Sequence, residues 1–214
     1  HDIDSEMTNS KIEPSSPGVR GEPLRQRVID AAERLLRDGK ADFSMRDLAA
    51  EAGVSFATPF NQFGSKAAIM QTLSTRRIDT MEIRFAAAPP LTDTAARVML
   101  AIDTAAAVML EEPAINRAVM SWLGTTSSSP GQVWARSTAL WTLALGAGDG
   151  LSATRRDQAL CCLPGQLAFA FRGVLSFWTA GELPDGALAP NARDLAETLL
   201  LGFIEERPSR DPGS

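Results

Sequence analysis

Within Ser44–Lys66 (SMRDLAAEAGVSFATPFNQFGSK) the chain starts a helix, stops it, and does so again. Ser44 and Asp47 have the S-x-x-D spacing that satisfies orphan amide donors at a helix start. Leu48, Ala49 and Ala52 give this helix an inward face, and Gly53 can end it because glycine takes positive φ without steric cost. Ser55 then caps a third short helix running to about Gln62. Gly64 and Ser65 break that helix and start a fourth, whose first turn carries Lys66. Two short helices joined by so tight a turn must cross steeply, which is the geometry of a helix-turn-helix. Ala49 is small where the helices approach, and Val54 can plug the turn into the core. Phe63 and Leu48 can close a three-helix core with Val28 and Leu35. A helix placed like the second of the pair presents its N-terminal half to a DNA major groove.

The rest of the chain is helical wherever it is periodic. The first helix is expected to start near Pro23, since proline suits a first helical turn. Leu24, Val28, Ala31, Ala32 and Leu35 follow at helical spacing, and Gly39 stands where a left-handed C-cap is needed. Past Pro89 and Pro90, longer helices are expected at about 92–110, 113–123, 131–145, 155–180 and 190–206. The last has a broad apolar stripe: Ala192, Leu195, Ala196, Leu199, Leu200, Phe203 and Ile204. Gly146 to Gly150 and Gly181 to Pro190 read as loops. No stretch alternates apolar and polar residues long enough for a strand.

The expected fold is therefore all-α, an N-terminal three-helix DNA-binding domain followed by a larger helical domain. Residues 20–70 would form the first and 71–207 the second, for effector binding and dimerisation. Residues 1–19 read as a disordered arm. Within it, His1–Glu6 resembles a tag remnant and Met7 a native start. Residues 208–214 read as a frayed tail.

Composition narrows the chemistry. The 214 residues include one His, at position 1, two Cys and no Tyr. That disfavours a His-based triad, a His-rich metal site and a disulfide scaffold; no metal, cofactor or catalytic residue is expected. Cys161 and Cys162 are adjacent and rarely reach disulfide geometry without strain; they read as buried free thiols in a helix. No charge-free apolar run approaches the roughly 20 residues that span a bilayer, and no signal peptide is recognisable. The expected address is the cytoplasm. The net charge of −5 argues against a nonspecific nucleic-acid coat. Segmenting the charge changes that inference. Residues 20–84 hold 11 Lys and Arg against 9 Asp and Glu, a net of +2, so the acidity lies elsewhere.

The stretch LRQRVIDAAERLLRDGKADFSMRDLAAEAGVSFATPFNQFGSK resembles the N-terminal domain of the TetR-type one-component regulators over about residues 24–70. The resemblance implies an all-α homodimer on a pseudo-palindromic operator. It also implies that the last two long helices pair across the dimer, with Leu195, Leu199 and Phe203 as candidates for that contact. It places Lys66 on a phosphate. Three positions depart from the family pattern. Phe56 replaces a polar or basic residue, Pro59 an aliphatic one, and Phe60 the Tyr whose hydroxyl touches a phosphate. Pro59, read as the fourth helical residue, should shorten the helix start or turn it 3₁₀-like.

The candidate DNA-contacting residues are Ser44, Arg46, Ser55, Phe56, Ala57, Thr58, Phe60, Asn61 and Lys66. Phe56 could meet a thymine methyl or cover the core, Asn61 could bond a base edge or face water, and Ser44 could serve only as a cap. Arg20 and Arg25 could reach the backbone. In the second domain Met109, Met120, Trp122, Trp134, Trp141 and Phe169 could line an apolar effector pocket or simply fill a core. Arg117, Arg136 and Arg172 fall among apolar neighbours, and each needs a partner if buried, either a protein carboxylate or an anionic ligand. The function so read is a dimeric, sequence-specific repressor released by a small, largely apolar effector. Two alternatives stand beside it: a helix-turn-helix regulator controlled by a protein partner, and a helical enzyme with a vestigial DNA-binding domain.

Overall fold

The computed structural model describes residues 17–124 and 132–204, with side chains from residue 22 onward. Of the disordered arm expected over residues 1–19, residues 1–16 lie outside the described residues, as do the tail at 208–214 and the Arg20 side chain; residues 17–19 are instead the start of a helix. Among the described residues the secondary structure is nine α-helices and one isolated antiparallel bridge, Leu151 to Ile204.

Helix α1, Pro17–Arg37, begins six residues before the expected start. Pro17, not Pro23, occupies the first helical position, where a missing N–H costs nothing. Gly39 follows α1 with φ 75°, and the Lys40 amide donates to Leu35 O at 2.9 Å, the left-handed end expected there. Helix α2 is Met45–Ala52, α3 Ala57–Phe63 and α4 Lys66–Ala87. Val28, Leu35, Leu48 and Ile69 are buried at the centre of this N-terminal bundle.

The second domain contains α5 (Thr94–Glu111), α6 (Pro113–Trp122), α7 (Val133–Leu145), α8 (Arg156–Thr179) and α9 (Asp185–Leu201). Helix α9 starts five residues earlier than its apolar stripe suggested and takes Pro190 into its interior. It ends at Leu201, so Phe203 and Ile204 lie beyond it. There Ser152 N donates to Phe203 O at 2.7 Å. The 24-residue α8, with a mean hydropathy of 1.4 over an 18-residue window, has the length and composition of a membrane span. Here it is the central strut of the core, burying Leu163, Leu167, Phe171, Leu175 and Trp178 against α7 and α9. Cys161 is exposed and Cys162 half-buried, both free, because α8 turns that face outward. The expectation of two buried thiols is corrected accordingly.

Two helices knit the domains together. Helix α4 sends Ile69, Met70 and Leu73 into the N-terminal core and Ile78, Met81 and Phe85 into the second core. Helix α6 contributes Ile115 and Val119 to the N-terminal core and Met120 to the second. A charged seam holds the same junction: Arg76 pairs with Asp30 and Glu33 at 2.8 Å, and Arg77 with Glu33 at 2.7 Å.

Candidate nucleic-acid interface and effector cavity

The α2–α3 unit is set by local chemistry. Ser44 caps α2 reciprocally with Asp47. The Asp47 amide donates to Ser44 Oγ at 3.2 Å, and the Ser44 amide donates to Asp47 Oδ2 at 2.8 Å. The Ser44 amide bond and, second, the Ser44 hydroxyl donating to the same Oδ2 at 2.7 Å hold the Asp47 carboxyl below its ordinary pKa. Gly53 ends α2 with φ 63°. From α1, the Arg27 guanidinium donates to the carbonyls of Ala52 and Gly53 at 3.0 and 3.2 Å, fixing the turn from behind.

Helix α3 begins at Ala57, without a side-chain cap. Ser55, expected to cap it, instead shares a hydroxyl–hydroxyl bond with Thr58 at 2.8 Å. The Thr58 amide takes the Ser55 carbonyl at 2.9 Å, an i→i+3 bond of the 3₁₀ kind. Pro59 is thus the third helical residue, not the fourth. Its absent N–H belongs to the first turn, where amides have no helical acceptor anyway. Its ring is buried.

Outward from this unit stand Ser55, Phe56, Ala57, Phe60 and Asn61, all exposed. Phe56 and Phe60 are 54% and 43% exposed and meet edge to face at 5.6 Å. Neither covers the core. Arg46, on α2, lies 5.6 Å over the Phe56 ring. The exposed end of α3 therefore offers two apolar rings, one amide and one guanidinium.

Lys66 is placed differently from the phosphate grip that the resemblance implies. Its ammonium donates to Ala41 O at 2.8 Å and Phe43 O at 2.7 Å. It also lies over the Phe43 and Trp122 rings, at 4.1 and 4.9 Å. Burial lowers its pKa from the ordinary lysine value. It braces the α1–α2 turn against α4 and α6, with two of its three donors engaged. Arg25 is likewise engaged, donating to Gln62 O and stacking on Phe63 at 4.3 Å.

In the second domain, α4, α6, α7 and α8 enclose a narrow cavity of about 60 Å³. Met109, Met120 and Trp141, all expected near a pocket, line it with Ile78, Met81 and Phe171. Val133, Ser137, Ala168 and Arg172 are common to it and to an outer cleft of about 320 Å³ between α4, α7 and α8. Trp134 and Phe169 line that cleft, stacked at 4.6 Å and both exposed. Trp122 lines neither space. It packs on the N-terminal core with Met45, Val54 and Phe63, so its place as a pocket candidate is corrected. Of the dimerisation candidates, Leu195 is exposed, whereas Leu199 and Phe203 are partly buried against the core. Sequence reasoning missed Phe177 and Leu201, which are 56% and 73% exposed at the ends of α8 and α9. Their outward placement depends on how those two helices rotate, which the apolar stripe alone leaves open.

Residues 28–73 match the family described as bacterial regulatory proteins of the tetR family. No curated protein matches the sequence. Among solved structures, the chain resembles a TetR transcriptional regulator from Rhodococcus sp. RHA1 at 21% identity and a TM-score of 0.67, covering 84% of this chain and 97% of that one. It also resembles a protein assigned as a transcriptional regulator from Streptomyces coelicolor A3(2), at 20% identity and a TM-score of 0.51, covering 83% and 95%. At these identities the likeness is one of fold.

Proposed function

We propose that this chain, whose residues 28–73 match the tetR family of bacterial regulatory proteins, is a dimeric, sequence-specific repressor released by a small effector. The observation that carries this reading is the exposed face of α3, with Phe56, Phe60 and Asn61 directed away from a turn fixed by Ser44, Gly53 and Arg27. Each α3 enters a major groove, where Phe56 and Phe60 meet thymine methyls, Asn61 bonds a base edge and Arg46 a phosphate. Ser44 and Thr58 stand beside the backbone. Such a regulator acts in the cytoplasm, where its DNA is.

The dimer forms through α8 and α9, whose exposed Phe177, Leu195 and Leu201 leave apolar area unpaired in the single chain. Two-fold symmetry then calls for a pseudo-palindromic operator with half-sites one helical turn apart, about 34 Å. The effector occupies the cavity between α4, α6, α7 and α8 and acts on DNA through α4 and α6, which reach both cores. Release follows if the effector binds the DNA-incompetent spacing of the two domains better than the competent one. Footprinting of the purified protein on the DNA upstream of its own gene tests the reading. Two protected half-sites about 10 base pairs apart are expected at low salt, and the absence of any protection there would overturn it.

A further inference from the structure

This inference rests on the effector reading above and gives its ligand a chemistry. Sequence leaves three arginines in the second domain with unknown partners, and the structure separates them. Arg117 donates to Asp185 Oδ1 at 2.7 Å and lies 4.4 Å over the Trp178 ring. Arg136 pairs with Asp79 and Glu82. Arg172 has no carboxylate among the described residues; its guanidinium reaches only Met120 Sδ, at 3.5 Å. A thioether is a weak acceptor. Burial lowers the Arg172 pKa, with no opposing negative charge, yet a guanidinium remains a cation at neutral pH. A partly desolvated, uncompensated cation is unfavourable for the folded protein. Arg172 lines both the inner cavity and the outer cleft, so it sits between the two.

Around it the chemistry is consistent. Trp141 is wholly buried in the cavity wall, and its Nε1–H has no acceptor in the described structure. Ser137 adds a hydroxyl beside both spaces. Arg77 also touches the cavity but is committed to Glu33 at 2.7 Å and Asn116 Oδ1 at 2.9 Å. The cavity thus offers one uncommitted positive charge, donors without acceptors and otherwise apolar walls. Met81, Met109 and Met120 are unbranched and adaptable, so the narrow space can widen around a guest.

We propose that Arg172 is the anion-binding residue of the effector site, and that the effector is a small organic monocarboxylate. Its carboxylate takes the guanidinium between the cavity and the outer cleft, where Arg can bind it bidentately. Its apolar body lies inward, beside Trp141 and the three methionines. A cation would meet like charge there. A neutral apolar molecule would leave Arg172 uncompensated.

Calorimetric titration of the full-length protein with phenylacetate and hexanoate, each against its neutral amide, tests this. Each acid should bind about tenfold or more tightly than its amide, the range of a charge-assisted hydrogen bond. Arg172→Gln should reduce the acid to the affinity of the amide. It should leave the unliganded protein at least as stable, because it removes an unpaired charge. Arg172→Lys, which keeps charge but loses the fork, should retain part of the preference and serves as the second variant. Equal binding of acid and amide, an acid preference that survives in Arg172→Gln, or no binding of either acid would overturn the proposal. Repeating the titration on the protein–DNA complex separates the two readings. Arg172-dependent acid binding that leaves DNA bound keeps this site and overturns release. DNA release by both amides as readily as by the acids keeps release and overturns this site.

Discussion

Lys66→Met distinguishes a brace from a phosphate contact. The substitution keeps the apolar stem and removes the ammonium that donates to Ala41 O and Phe43 O at 2.8 and 2.7 Å. A hydrogen bond from a charged group contributes about 1.5–3 kcal/mol, and a ring contact about 0.5–1 kcal/mol at an exposed site. One of the two bonds is exposed, and burial of the ammonium opposes both, as its lowered pKa records. The net loss should be about 2 kcal/mol. For a chain of this size each kcal/mol moves Tm by about 2–4 °C, so the midpoint should fall by about 4–8 °C. Thermal unfolding followed by circular dichroism reads that shift. Operator affinity measured across a salt series supplies the second readout. A brace leaves the slope of log K against log salt unchanged, whereas a lost phosphate contact lowers it by about 0.9. A midpoint within about 1 °C of the parent, together with a reduced slope, would refute the brace.

Other substitutions probe the remaining features. Ser44→Ala should destabilise the protein by about 1 kcal/mol at pH 7. Because the Asp47 pKa is lowered in the folded state, its stabilisation is full above the ordinary carboxylate value and lost as pH falls through the folded one. The part of the Ser44→Ala deficit that comes from the hydroxyl bond to Asp47 Oδ2, measured by urea unfolding, should therefore shrink below about pH 4; a deficit constant with pH would show that this bond does not stabilise the fold. Phe56→Ala should leave Tm nearly unchanged, since the ring is exposed. It should also abolish the roughly fourfold loss of affinity expected when uracil replaces one contacted thymine, the worth of a methyl group; an undiminished uracil penalty would move that contact elsewhere. Leu195→Glu combined with Phe177→Glu should give monomers by sedimentation velocity, and an intact dimer would locate the interface away from α8 and α9.

What could be read in the sequence was what depends on neighbours in the chain. The Ser44–Asp47 box, the left-handed Gly39 and Gly53, and the 3₁₀ bond before Pro59 all involve residues within a few positions of each other. The start of α9 was hidden because Pro190 and Gly186 look like loop residues, yet packing of Leu188, Ala192 and Ala196 carries the helix through them. The intramolecular contacts of Lys66 were hidden for a different reason: its partners lie 23 and 25 residues upstream and at Trp122 on α6, out of reach of any local pattern. The Arg172 question was posed by the sequence but could be narrowed only in three dimensions, because it turns on which carboxylates stay away.

The sharing of α4 and α6 between the two cores bears on how such a protein can be recombined. A DNA-reading cassette cut at residue 70 would sever α4 just past its first turn, and would leave behind the Ile115 and Val119 side chains that complete its interior. The removed piece would expose Leu35 and Ile69, leave Leu73 behind and lose the Glu33–Arg77 tie. Chimaeras that exchange operator preference should therefore graft only the outward residues of α3 onto an otherwise intact chain, since a transplanted domain would arrive without part of its own foundation.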